Sequence, residues 1–195
     1  VAVTPESGIA ARLLDPDPAA EIDAAWLEVR LARAAALRAR LSDPAAHRLV
    51  HAEADGLPGL VIDRFGEALA IQPNAAWADA RAGAIADAAL AVTGAAVAVL
   101  NTSGRARALE GLPSEAPRVI RGALDAPVPV EMNGATYLAD LLGGQKTGLY
   151  LDQRENHAFV ARLAPGEDVL DVFAHVGGFA LAALAAGAAS ALAVD

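Results

Sequence analysis

The chain has 195 residues, 55% of them hydrophobic but only 4% aromatic, with a net charge of −9 and no cysteine. That apolar content excludes a disordered chain, and the missing Cys excludes disulfides, thiolate metal sites and a cysteine nucleophile within these residues. The acidic balance argues against a broadly basic nucleic-acid surface and leaves only local contacts. The apolar stretches at Ala84–Leu100 and Leu181–Val194 are interrupted well before the roughly 18 to 20 residues a bilayer span needs, so no membrane partner is expected.

Val1–Glu6 shows no basic region leading into an apolar one, so no secretory signal is expected and a cytoplasmic location is the default. Ile9–Leu14 is β-compatible and meets the breaker Asp15-Pro16-Asp17-Pro18, which makes the first stretch look like the tail of an upstream domain. From Ile22 to Leu41, Ile22, Trp26, Val29, Ala32, Ala36 and Leu37 recur at helical spacing. Arg30, Arg33, Arg38 and Arg40 fall mostly on other faces, as a solvated surface or a local phosphate contact. Ser42-Asp43-Pro44 is expected to stop this helix. Segments from His47, Gly56 and Glu67 predict three short strands joined by Gly/Pro turns, an antiparallel meander in which Asp55–Gly59 reads as a structural loop. A helix over about Ala76–Ala91 and a strand over Ala96–Leu100 follow, and Asn101–Pro127 reads as irregular.

After Pro127 the pattern changes. Val128–Met132 and Thr136–Ala139 flank Asn133-Gly134, a two-residue hairpin signal of the type I′ kind. The Gly-rich stretch Gly143–Gly148 leads through Leu149–Arg154 into a helix from about Arg154 to Leu163, ended by Pro165-Gly166. Strand Asp168–Phe173, a tight Gly turn, helix Phe179–Ala186 and strand Ser190–Val194 form a βαβ unit opening a parallel sheet, so the predicted fold class is α/β.

That unit carries the most informative segment. A buried strand running into Gly177-Gly178 at a helix start brings main chain close to a ligand at the carboxyl edge of the sheet. Asp195, at the end of the next strand, stands where a carboxylate can accept both hydroxyls of a ribose. A dinucleotide fingerprint needs a third, spaced glycine that is absent here. The carboxylate of Asp171 suits an ammonium- or sulfonium-bearing amino acid better than a pyrophosphate. These residues favour S-adenosylmethionine over a nicotinamide, although Gly177-Gly178 as a plain βα turn with Asp171 as a helix cap also fits them. His47 and His51 share a strand without a third ligand, which argues against a metal. His175 reads as a packing or hydrogen-bonding residue.

Three segments together resemble a known family: His51–Gly66, Gly144–Arg154, and Asp171-Val172-Phe173 through Gly177-Gly178-Phe179. In this order they are similar to the class I large-subunit rRNA cytosine-C5 methyltransferases that carry an N-terminal PUA domain. The resemblance covers nearly the whole chain. It implies that residues 1–16 end a PUA-like domain, that 17–126 form a central α+β domain that helps cradle RNA, and that 127–195 begin a Rossmann-like methyltransferase domain. It further implies a cofactor site that draws on Lys146, Thr147, Asp152, Gln153, Arg154, Asp171, Phe173, Gly177, Gly178, Phe179 and Asp195, with Gln153 and Arg154 on the methionine carboxylate. The chain departs from the family at His157, where Arg is usual, and at His175-Val176, where an aromatic-Thr pair is commoner.

On this reading the activity is methyl transfer from S-adenosylmethionine to RNA, with ribosomal RNA the expected partner and a homodimer open as an assembly state. Methylation at C5 normally needs a nucleophile, usually Cys, that adds at C6. With no Cys present, the catalytic residues are expected in a C-terminal part that follows, and the chain reads as a fragment inactive alone and prone to association through an open sheet edge. A non-catalytic RNA-binding piece and a nucleotide-dependent oxidoreductase are the other functions these residues allow.

Overall fold

The computed structural model describes residues 1–41 and 45–195, so the helix stop expected at Ser42-Asp43-Pro44 lies outside the described residues. β1 (Ala2–Val3) and β2 (Ala11–Arg12) form an antiparallel ribbon. This ribbon is fastened to the centre of the molecule. The Arg12 guanidinium donates to both carboxylate oxygens of Glu110 at 2.6 and 2.9 Å, and the Ser7 hydroxyl donates to the same side chain at 2.6 Å. Burial resists ionisation of Glu110, but the bonds from Arg12 and Ser7 outweigh it and hold the carboxyl below its ordinary value.

α1 (Ala24–Leu41) starts where the Asp23 carboxylate accepts the Trp26 amide N–H at 2.8 Å, an N-cap bond. Its buried stripe is Leu27, Leu31 and Ala34, whereas Val29 and Leu37 of the expected stripe are exposed. So many alanines make several stripes nearly equivalent in hydropathy, and the two leucines decide which faces inward. Two of its arginines hold the chain rather than facing a ligand. Arg30 pairs with Asp15 at 2.7 Å, and Arg38 grips Asp55 with two bonds of 2.9 and 2.6 Å.

The central sheet has the order β3 (Ala46–His51), β4 (Leu60–Phe65), β5 (Ala68–Pro73), β6 (Val97–Leu100), β7 (Arg118–Arg121). The meander β3–β4–β5 is antiparallel as expected, while β6 returns parallel to β5 through α2 (Ala76–Asp79) and α3 (Ala82–Thr93). The single helix expected over Ala76–Ala91 is thus two pieces. The stretch expected to be irregular holds a 3₁₀ helix at Arg105–Glu110 and the edge strand β7.

Period-two alternation places two different sets of side chains on the two faces of this sheet. Leu69, Ile71, Ala98 and Leu100 pack with Leu27, Leu31, Ile85 and Ala89 under α1 and α3. Ala68, Ala70 and Val99 pack on the other face with Val130, Met132, Tyr137 and Leu149. Of these, Val130, Met132 and Tyr137 belong to the hairpin β8 (Val128–Met132) and β9 (Ala135–Ala139), which thus shares a core with the central sheet. Small Ala68 and Ala70 let the hairpin approach the sheet closely.

Asn133 and Gly134 both have positive φ, 51° and 77°, as a type I′ turn requires. Replacing Gly134 with Ala is expected to cost about 1 kcal/mol, because a Cβ disfavours the left-handed region. Thermal unfolding of that variant checks it, and an unchanged midpoint would contradict the turn assignment. Beyond the hairpin come α4 (Arg154–Ala161), β10 (Asp168–Val172), α5 (Gly178–Ala185) and β11 (Ser190–Val194). β10 and β11 pair in parallel over their full length, as the βαβ pattern predicts. Among the described residues no helix is long and apolar enough to cross a membrane.

Candidate functional site

The turn between β10 and α5 has an unusual backbone. Phe173, His175 and Gly177 all take positive φ, at 60°, 52° and 73°. For the two non-glycine residues this costs about 1–2 kcal/mol each, and such strain tends to collect where a site is built. The turn is tied down by Ala174 N–H donating to Val194 O at 3.1 Å and Gly177 N–H to Ala174 O at 2.7 Å. Asp195 adds a third tie, since one of its carboxylate oxygens accepts the His175 N–H at 2.9 Å.

From below, the turn rests on buried side chains. The Tyr137 hydroxyl donates to Gly178 O at 3.0 Å. A Cβ at Gly178 would lie 2.4 Å from His157 Cε1 and 2.6 Å from Nε2, so only glycine fits beneath that imidazole. The same ring meets Phe179 edge to face with centroids 4.5 Å apart. Asp171, also buried, accepts the Ala180 N–H at 3.1 Å inside the first turn of α5. Of the two roles its sequence context allowed, the geometry matches the helix-capping one.

A hollow of about 410 Å³ lies over this turn. Met132, Leu149, Val176 and Phe179 supply apolar lining, and Gln145, Tyr150, Gln153, His157, His175 and Asp195 supply polar groups. A largely apolar cavity of this size with a few convergent polar atoms is the usual form of a cofactor site. Tyr150 closes one side. Its hydroxyl donates to Gln145 Oε1 at 2.5 Å, its ring packs edge to face on His175 at 5.0 Å, and Lys146 Nζ lies 4.0 Å from its ring centroid.

Burial lowers the His157 pKa, with Asp171 pulling weakly the other way, and burial followed by Asp171 raises that of Tyr137. Because folding favours the neutral imidazole, the His157 contribution to stability is complete above its ordinary value of 6.5. It falls away as the pH drops below that toward the lowered value.

A second, more polar hollow of about 780 Å³ lies on the other side of the Gln145–Glu155 segment and shares Leu149 with the first. Arg48, His47 and His51 from β3, Asp63 from β4, and Lys146, Thr147, Asp152 and Arg154 line it. Asp63 is its anchor, 1% exposed. Its carboxylate accepts two bonds from Arg48 at 2.9 and 3.1 Å and one from the Thr147 hydroxyl at 2.7 Å. The Asn101 amide donates to Lys146 O at 2.8 Å, so the Gln145–Gly148 loop is fastened to the central sheet at two points.

The expected site residues are therefore divided between the two hollows. Gln153, Phe173, Gly178, Phe179 and Asp195 line the first, with Gly177 at the head of α5 and Asp171 behind it. Lys146, Thr147, Asp152 and Arg154 line the second. Thr147 is held by Asp63, Lys146 pairs with Asp152 at 3.1 Å, and the Arg154 guanidinium donates to Ala46 O. The arrangement thus departs from the expectation that Arg154 joins Gln153 on a methionine carboxylate. Successive residues at the start of α4 point to different sides of the backbone. Tyr137, Tyr150 and Gln145 escaped the sequence reading, because nothing local marks a hairpin tyrosine or a loop glutamine as facing a turn 30 to 40 residues away.

The family model for S-adenosylmethionine-dependent methyltransferase matches residues 88–195. Similar curated proteins include ribosomal RNA large subunit methyltransferase I of Citrobacter koseri, 36% identical over 198 residues that cover 100% of this chain and 50% of that protein. Its namesake in Shewanella denitrificans is 38% identical over 197 residues, 98% of this chain and 49% of that protein. The chain spans about half the length of the curated relatives it matches. Among solved structures, a protein of Streptococcus mutans described as a SAM-dependent methyltransferase superposes with a TM-score of 0.75 at 22% identity, covering 94% of this chain and 47% of its own. SMU.776, described as a methyltransferase complexed with SAH, gives 0.76 at 22% identity with the same coverage. At that identity the structural likeness bears on the fold alone.

Proposed function

Because this chain belongs to the S-adenosylmethionine-dependent methyltransferase family, we propose that its first hollow holds S-adenosylmethionine and that the protein methylates RNA, at cytosine C5 of large-subunit ribosomal RNA. The observation that carries the reading is one hollow of about 410 Å³ that joins the strained Phe173–Gly178 turn to Asp195, just past the end of the neighbouring parallel strand. Membership of the family agrees with the glycine count in favouring this cofactor over a nicotinamide.

The lining fits the cofactor on physical grounds. Apolar Met132, Leu149 and Phe179 suit a planar base and a thioether chain, and one Asp195 oxygen remains for ribose hydroxyls after the other has accepted the His175 amide. When bound, the cofactor supplies a methyl group that is already activated, so the protein contributes orientation and proximity. Gln153 and Asp195 would hold polar ends, and the rigid turn would fix their separation.

The RNA assignment draws on the relatives, which are named as ribosomal RNA methyltransferases. In the adjoining second hollow Arg48, Lys146 and Arg154 are matched by Asp63, Asp152 and Glu155, so its lining is charge-balanced and not a basic patch. A cytoplasmic location goes with that substrate. The C5 assignment calls for a nucleophile at C6, and since no Cys stands among these residues, their proposed share is to hold cofactor and RNA.

Calorimetric titration with S-adenosylhomocysteine tests the site. The wild-type chain is expected to bind, and Asp195→Ala is expected to weaken binding by about tenfold, the loss of hydrogen bonds to a charged acceptor. A folded chain that takes up no S-adenosylhomocysteine would reject the reading.

A further inference from the structure

His157 is the one lining residue whose chemistry remains unaccounted for. It lies on α4, is 9% exposed, and its side chain makes no hydrogen bond among the described residues. Its ring is boxed in by two elements: Tyr137 of β9 lies parallel at 6.5 Å, while α5 brings Phe179 to 4.5 Å and Gly178 directly against it. With no side-chain bond to engage them, the donor and acceptor of its ring nitrogens are left for solvent or a ligand. Neither ring nitrogen is a buried atom lacking a partner, and His157 lines the first hollow.

We propose that His157 is a cofactor-contacting residue that hydrogen-bonds S-adenosylmethionine through its neutral imidazole. The inference rests on the reading that the first hollow holds this cofactor. A neutral imidazole carries one donor and one acceptor, which suits an uncharged polar group of the ligand or a carboxylate approached by the N–H. Burial keeps the ring neutral near pH 7, opposed by the charge of Asp171 on β10. The other titratable groups around it are Tyr137 on β9 and, around the hollow, Tyr150, His175 and Asp195. Protonation would remove the acceptor and place a cation beside the sulfonium.

The test uses S-adenosylhomocysteine and S-adenosylmethionine with wild type, His157→Leu and His157→Gln, titrated between pH 5.5 and 7.5. His157→Leu is expected to bind both ligands about tenfold more weakly, the loss of a hydrogen bond to a buried ligand group. His157→Gln, neutral with both donor and acceptor, is expected to stay within about threefold of wild type at pH 7.5. Wild-type affinity for the sulfonium ligand is expected to fall toward pH 5.5, whereas that of His157→Gln holds level. Because His175 is retained throughout, it cannot account for the difference. If His157→Leu fails to fold by circular dichroism, the pH profile of His157→Gln decides: a level one supports the contact and a wild-type one overturns it. Wild-type affinity and pH profile in His157→Leu would overturn this contact alone, whereas a wild-type chain that binds neither ligand would sink the cofactor reading and the contact together.

Discussion

Gly178→Ala is expected to weaken S-adenosylhomocysteine binding roughly 10- to 100-fold, the equivalent of the 1–3 kcal/mol that overpacking a closed site costs. The added Cβ would fall 2.4 Å from His157 Cε1 and 2.6 Å from Nε2. The imidazole cannot swing clear cheaply, since Phe179 and Tyr137 stand beside it. The turn must therefore shift, and with it Gly178 O, which receives the Tyr137 hydroxyl at 3.0 Å. Adding His157→Ala to Gly178→Ala is expected to recover the stability lost by the glycine change, since the small side chain vacates the space. Thermal unfolding of the four proteins of that cycle measures the coupling without any ligand. If Gly178→Ala unfolds and binds as wild type does, the close approach is not a feature of the folded chain.

Arg107→Met is expected to lower global stability by about 3 kcal/mol, in the range for removing one member of a buried, hydrogen-bonded charge cluster. Arg107 is 2% exposed and lies in the 3₁₀ helix at Arg105–Glu110. Its guanidinium donates to Pro73 O at 2.5 Å and to Asp79 at 2.8 Å, and its Nε donates to Pro113 O at 2.9 Å. Met keeps much of the volume but supplies no donor, so two carbonyls and a carboxylate lose their partner. For a chain of this size that loss corresponds to about 6–12 °C in the unfolding midpoint. A shift below about 2 °C would mean that these carbonyls find other donors.

Arg107 also shows where reading the chain in order runs out. Nothing within Asn101–Pro127 marks one arginine among several as buried, because its partners come from the end of β5, from α2 and from six residues downstream. The α1 stripe failed for a related reason: alanine is apolar enough to extend any stripe, so only the contacts of Leu27 and Leu31 with the sheet select the inner face. The hairpin at Asn133-Gly134 and the parallel βαβ unit were legible because their signals are local, resting on left-handed turn chemistry in one case and a strand–Gly–Gly–helix order in the other.

The same division runs through the candidate site. Backbone geometry at Gly177-Gly178, the placement of Asp195 at the end of the second parallel strand, the absence of any thiol and the family resemblance all follow from residue types at short spacing. Which side chains meet across the hollow does not. Tyr137, Tyr150 and His157 reach the Gly178 turn from a hairpin, a loop and a helix, while Lys146, Thr147 and Arg154, in the same Gly144–Arg154 segment as Gln153, are drawn to Asp152, Asp63 and Ala46 instead. Those choices depend on which sheet face the hairpin covers and on a carboxylate buried 84 positions earlier in the chain. A hydrogen-bond partner at that distance comes into reach only once the two faces of the central sheet have closed.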